Sequence, residues 1–328
     1  MTEITRRVML SGLFAFATMP MAFARPASAQ AYPTRPVRII VPLTAGSAAD
    51  IFARRLAQPL GENWGQSVVV ENRPGAGTTL GADTVAKATP DGHTILLNSA
   101  AFAVSAAIYQ KLSYDPLKDF APVSQVAIAP IVVVAAPSLG VKSIKDLVEL
   151  AKRQPGRINF GSSGVGSSTH FAGEQFKLSA GLSIVHVPYK GPSEALLDTL
   201  TGRIQYSMSP LVPALPFIRD GKLLALGVTT AQRSTALQDV PTVAEAGLAD
   251  YEYQDWWGAF APAATPRAVI DKIGKDISRV LELPDVVKQL QSQGAEARPS
   301  TPDEFTRFVR AKVEAARQVA SVAGIRAE

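Results

Sequence analysis

The chain has 328 residues, of which 47% are hydrophobic and 19% charged, a balance that excludes a disordered chain and leaves length for two domains with cores of their own. It contains no cysteine, which excludes disulfides, thiolate metal sites and a lipidated N-terminal cysteine. Its 33 Lys and Arg stand against 28 Asp and Glu, for a formal charge of +5. The basic residues are dispersed and form no stripe, so nucleic acid is not an expected partner.

At the N-terminus, Arg6-Arg7 precedes an apolar run over residues 8–24 that Pro20 interrupts. Ala27-Ser28-Ala29 supplies small residues at the spacing a signal peptidase reads. Residues 1–30 are therefore read as a signal peptide, cut near Ala29–Ala31. The run falls short of the ~20 apolar residues of a membrane span. Thr5-Arg6-Arg7-Val8-Met9-Leu10 suits twin-arginine export and ordinary secretion equally well. No later stretch is long and apolar enough to cross a bilayer. Export without a lipid anchor predicts a soluble protein of the periplasm. Without residues 1–30, 30 basic and 27 acidic residues remain.

Short strands and helices then alternate, the pattern of α/β layering. Residues 37–43 read as a strand and 50–60 as a helix, with Phe52, Leu56 and Leu60 at i, i+4 and i+8. Strands over 67–71 and 93–98 flank a turn at 72–77 and a helix over 78–88. Residues 126–135 form a β-branched run broken by Pro130. A second unit begins with Ser143 capping a helix over 144–153, ended by Pro155-Gly156. Strands over 158–161, 184–189, 204–209 and 223–229 alternate with helices over 169–180, 193–201 and 212–220. Residues 251–262 look extended and aromatic. Helices over 266–283 and 302–322 close the chain, the last with Thr301, Pro302 and Glu304 arranged as a capping box. The chain passes into a second domain near 130–140 and returns near 250–258, so two crossing strands would form a hinge. The expected lobes are 31–132 with 255–328, and 133–254.

One loop type occurs in each half. A strand end runs into Thr44-Ala45-Gly46-Ser47-Ala48-Ala49-Asp50, and another into Ser162-Ser163-Gly164-Val165-Gly166-Ser167-Ser168-Thr169-His170. A helix follows each time. A helix N-terminus presents unpaired N–H groups and a partial positive charge. Small residues let an anion approach that backbone, and hydroxyls add donors. Two such loops facing each other would clamp a small anion.

Catalytic signatures are weaker. The pattern G-x-S-x-G is missing from the second loop, and no acid partner is indicated for His170. A secreted hydrolase using Ser167 or Ser168 with His170 stands as the rival reading. His170 and Glu174 share a helical face, but H-E-x-x-H is missing, so neither a metal nor a cofactor is expected. His93 and His186 read as structural residues in strands. The glycines at 75, 77 and 81 do not match the dinucleotide spacing and fit a tight turn into a helix. Trp256-Trp257 reads as packing at the return crossover, with an aromatic ligand wall as the alternative.

These stretches resemble the Bug family, the solute-binding proteins of tripartite tricarboxylate transporters. The likeness lies in residues 42–51, in Glu71-Asn72-Arg73-Pro74-Gly75-Ala76-Gly77, in 161–174 and in Val187-Pro188-Tyr189-Lys190-Gly191. It continues through residues 239–247 and 261–266. The resemblance implies a type-II periplasmic-binding-protein fold, two α/β lobes joined by two crossing strands, without catalysis. It implies a small carboxylate ligand, partners among the membrane components of a tripartite tricarboxylate transporter, and a monomer. Carried onto this chain, it places the carboxylate among Thr44, Ala45, Gly46, Ser47 and Asp50 on one side. Gly164, Ser167, Ser168 and Thr169 lie on the other, with Ser99 at a strand end beside them. Asp50 is assigned to ordering its loop or a bridging water, because it would repel an anion. The family's paired glycines become Gly46-Ser47 here, and Ser207-Met208-Ser209-Pro210 lacks the acid or amide often found at that strand end. A sensory subunit for a membrane kinase would share both fold and site.

Overall fold

The computed structural model describes residues 32–323 and 325–326. The signal-peptide reading lies outside the described residues. The chain runs β1 (Val37–Val41), α1 (Ala48–Trp64), β2 (Val68–Asn72), α2 (Thr79–Ala86), β3 (Thr94–Ser99), α3 (Ala101–Ile108) and β4 (Phe120–Ala135). It continues through α4 (Ile144–Arg153), β5 (Asn159–Ser162), α5 (Ser168–Ser179), β6 (Val185–Pro188), α6 (Pro192–Leu200), β7 (Tyr206–Pro210), α7 (Leu211–Arg219) and β8 (Leu224–Val228). It ends with β9 (Gln254–Pro262), α8 (Arg267–Leu281), α9 (Pro284–Ser292), β10 (Glu296–Ala297) and α10 (Pro302–Ala323).

The strands form one 10-stranded sheet ordered β2-β1-β3-β9-β4-β7-β5-β6, with β8 and β10 also paired to β4. β1 lies parallel to β2 and β3, and β5 parallel to β6 and β7. β4 joins these halves. Its residues from Phe120 to Pro130 pair antiparallel with β9, and those from Ile131 to Ala135 pair with β7 and β8. The expected break at Pro130 does not occur. Pro130 sits where β4 changes partners, a position where a missing N–H is tolerated.

Helices cover both faces of each half. Phe52, Leu56, Leu60, Ile273 and Trp257 form a core under α1 and α8, while Phe102, Phe260, Phe305 and Trp256 fill the opposite face. In the second half, Phe160, Phe176, Tyr206 and Met208 pack beneath α4 and α5, and Leu196, Leu211 and Leu215 beneath α6 and α7. Local capping explains several helix starts. Ser47, Ser143 and Ser167 each accept an N–H from the third residue on. Thr301 and Glu304 exchange bonds reciprocally at the start of α10.

Other elements depart from the pattern. α3 has no polar face, because it is inserted between elements and buries nearly all its side chains. The expected helix over 266–283 ends at Leu281, and Pro284 opens α9 as its first residue. His93 lies just before β3 rather than within it. No helix among the described residues is long and apolar enough to cross a membrane.

Candidate functional site

Three chain segments converge where the sheet halves meet. The first is the turn after β1. Gly46 adopts φ +77°, and its N–H donates to the Asp50 carboxylate at 3.0 Å. Ser47 caps α1 by accepting the Asp50 N–H at 3.3 Å. Burial alone would raise the Asp50 carboxyl, but hydrogen bonds from Arg54, Gly46 and Asn72 outweigh it and hold the group below its ordinary value. Asp50 therefore stays ionised and braces its own loop.

The second is the turn after β5. Gly164 and Gly166 take φ +113° and +81°, conformations that suit glycine. Ser167 caps α5 by accepting the His170 N–H at 3.1 Å. Thr169 Oγ1 accepts the Ser163 N–H at 2.8 Å and lies 3.0 Å from Ser167 Oγ. Behind the loop, His170 Nδ1 accepts the Gly166 N–H at 3.3 Å, and its ring stacks on His186 at 4.1 Å. Ser162 Oγ bonds His186 Nε2 at 2.6 Å. Burial holds both imidazoles neutral, His186 down to about 3 with His170 and Lys177 adding to the effect.

The third segment is the end of β3 with the start of β9. Asp255 Oδ1 accepts the N–H groups of Ala100 at 3.3 Å and Trp256 at 3.0 Å. Its Oδ2 accepts the Ser168 hydroxyl at 2.8 Å. Together the segments enclose a cavity of about 10 Å³, room for roughly one water molecule. Its walls are Leu43, Ser47, Ala48, Ser99, Ala101, Ser163, Ser167, Ser168, Pro192, Pro210, Asp255 and Trp257.

A larger groove of about 380 Å³ lies outside it, lined by Pro42, Gly75 to Thr78, Gly164, Val165 and Pro188 to Lys190 among others. Leu43 and Ser163 line both spaces, so the groove, here called the mouth, adjoins the inner cavity. At the mouth the two halves touch. The turn at Ala76, Gly77 and Thr78 has φ of 45°, 58° and 86°. Ser105 donates to the Gly77 carbonyl at 3.1 Å, and Tyr109 to the Val165 carbonyl at 3.1 Å. A Cβ on Gly77 would collide with the Val165 carbonyl oxygen.

Of the residues singled out in the sequence, Ser47, Ser99, Ser167 and Ser168 line the inner cavity. Gly164 lines the mouth. Thr44 lies against Gly191 with its hydroxyl oxygen buried and unpartnered, while Ala45 and Gly46 are exposed. Asp50 and Thr169 support the loops from behind. Ser163, Asp255 and the Trp257 edge were not anticipated as a cluster. The available signal was an acid directly before the paired tryptophans in Tyr251-Glu252-Tyr253-Gln254-Asp255-Trp256-Trp257. The predicted packing role of the tryptophans holds, since Trp257 meets Phe52 edge-on at 5.1 Å and Trp256 meets Phe305 at 5.8 Å. For the hydrolase reading, the Ser168 hydroxyl points to Asp255 and His170 Nδ1 accepts a backbone N–H, so neither forms a nucleophile–base pair.

Residues 52–325 match the sequence profile described as "Tripartite tricarboxylate transporter family receptor". The chain is similar to Protein BugT of Bordetella pertussis, at 36% identity over 314 residues covering 95% of each chain. It is similar in structure to an R. palustris protein solved with adipate, with a TM-score of 0.87 and 34% identity over 90% of this chain and 99% of that one. A third likeness is to MatC from Rhodopseudomonas palustris with bound malate, with a TM-score of 0.84 and 30% identity over 88% and 99% of the two chains.

Proposed function

Since the chain belongs to the family of tripartite tricarboxylate transporter receptors, which are binding proteins rather than enzymes, we propose that it captures a small carboxylate in the periplasm. It then delivers that ligand to the membrane components of a tripartite transporter, acting as a monomer. The observation that carries this reading is the convergence of two serine-capped helix N-termini, those of α1 and α5, on one buried cavity lined by serine hydroxyls. Such donors favour an anion through partial charge and through charge-assisted hydrogen bonds of about 1.5–3 kcal/mol each. Similar proteins solved with adipate and malate support the carboxylate class.

The lobes in this reading are residues 31–132 with 255–328, and residues 133–254. Opening about β4 and β9 admits the ligand. With the loops parted enough to widen the inner cavity beyond its present one-water size, one carboxylate seats there and the remainder lies in the mouth beside Tyr189 and Lys190. Residues 1–30 direct export and are removed.

A thermal-shift screen of the protein from residue 31 onward tests this. The panel holds C4–C6 dicarboxylates, citrate, aromatic mono- and dicarboxylates, acidic amino acids and nicotinate. A ligand that binds the folded state raises the melting point in a saturable way. One such carboxylate hit is the expected result; no shift across the panel overturns the carboxylate class.

A further inference from the structure

Asp255 is an acid in the wall of a cavity whose other walls are serines and apolar residues. It is 0% exposed. Its Oδ1 is committed to two backbone N–H groups, and its Oδ2 takes the Ser168 hydroxyl. A hydroxyl has one proton to donate. While Asp255 is ionised, Ser168 directs that proton to Oδ2 and turns only lone pairs toward the cavity. An arriving anion would meet those lone pairs with a carboxylate behind them. When Oδ2 carries a proton the direction reverses. Oδ2–H donates to Ser168 Oγ, and the Ser168 O–H is free to donate into the cavity.

Nothing charged nearby offsets a second negative group. β3, β4 and α3 carry no titratable side chain. α1 brings Asp50, whose carboxylate is held by Gly46 and Arg54. α5 brings His170, kept neutral by burial, and the chain before β9 brings Tyr253, whose buried phenol is pushed well above its ordinary value. The α6 and α7 sides present Pro192 and Pro210. Burial accordingly pushes the Asp255 carboxyl up to about 7, against the bonds from Ser168, Trp256 and Ala100. Two carboxylates in so small a space cannot both stay ionised. An independent sign of a ligand is Trp257. Its Nε1 is buried without a hydrogen-bond partner, the residue is 1% exposed, and it lines the same cavity.

Resting on the carboxylate reading above, we propose that the protein takes up a proton together with its ligand. The proton comes from solvent and lands on Asp255 Oδ2, and Ser168 changes from a donor to Asp255 into a donor to the ligand.

Titration calorimetry with adipate and with malate tests this, in two buffers of different ionisation enthalpy and across pH 6.5–8.5. The expected result is uptake of about one proton per ligand at pH 8, and a Kd that weakens about twentyfold across the range. Asp255→Asn keeps a carbonyl toward Ala100 and Trp256 and fixes an N–H toward Ser168. That variant should lose both the proton uptake and the pH slope. A flat wild-type Kd without uptake, or an unchanged slope in Asp255→Asn, overturns the proton coupling alone. Failure of adipate and malate, and then of every other carboxylate in the panel above, to bind even at pH 6.5 overturns the carboxylate reading and the coupling with it.

Discussion

The Ser168 hydroxyl donates to Asp255 Oδ2 at 2.8 Å, joining the first turn of α5 to β9 across 87 positions of the chain. Both residues are buried, at 3% and 0% exposure. The bond therefore works as a cross-tie between sheet halves and also sets which way a hydroxyl in the candidate site points.

Ser168→Ala removes that tie and one anion donor. Adipate or malate affinity should fall about tenfold to a hundredfold, the range for a hydrogen bond to a charged partner. Titration calorimetry reads it. Equal affinity in the variant would remove the α5 loop from the site.

Trp257→Phe deletes the unpartnered Nε1 while keeping an aromatic ring against Phe52. If Nε1 serves the ligand, affinity drops about tenfold while the melting point in its absence stays within a few degrees of wild type. A variant that binds normally would mark the indole nitrogen as a packing residue only.

Asp255 and His186 push stability in opposite directions with pH. The folded Asp255 carboxyl is raised from 3.8 to about 7, so the native state binds the extra proton. Its contribution is complete below the unfolded value and is lost as pH rises from about 4 to 7. Burial, followed by His170 and Lys177, lowers folded His186 from 6.5 to about 3. Its contribution is complete above the unfolded value and is lost as pH falls from about 6.5 toward 3. The windows overlap, so the wild-type profile is flattened between them. Chemical denaturation at pH 4.5 and 7 should show Asp255→Asn losing stability more steeply toward acid. His186→Gln should instead lose stability toward neutral pH. Parallel profiles for the two variants would contradict these assignments.

The turn at the mouth carries strain that substitutions can probe. Gly77→Ala forces a Cβ onto the Val165 carbonyl in a left-handed backbone, and should lower both the melting point and ligand affinity. Ala76, at φ 45°, tests the reverse. Ala76→Gly should leave the protein as stable or more stable by up to about 1 kcal/mol, since a left-handed residue costs about 1–2 kcal/mol. Thermal melts of both variants decide it.

Much of the architecture is local and so is written in short windows of sequence. Ser47, Ser143 and Ser167 cap helices through bonds to residues three positions on, and Thr301 with Glu304 does the same for α10. The alternation of apolar strands with helices of one apolar face follows from the same short range, and it suffices for the α/β class. The glycine-rich turns after β1 and β5 were legible as helix entrances for the same reason. α3 was not, because a helix buried on all sides has no periodic face to read. Pro130 looked like a break because its role depends on a partner change between β9 and β7.

The candidate site divides along the same line. The amino-acid sequence by itself determined that two loops with capping serines would present N–H groups at helix starts. Only the tertiary structure decided which hydroxyls share a cavity, that Thr44 and Ala45 stay outside it, and that Asp255 and Trp257 complete it. Caps form between neighbours in the chain, whereas the cavity is made by elements far apart in sequence that the shared sheet brings together. A carboxyl's charge depends on what buries it, and for Asp255 that burial comes from α3, α5 and β4, none of them its neighbours in sequence.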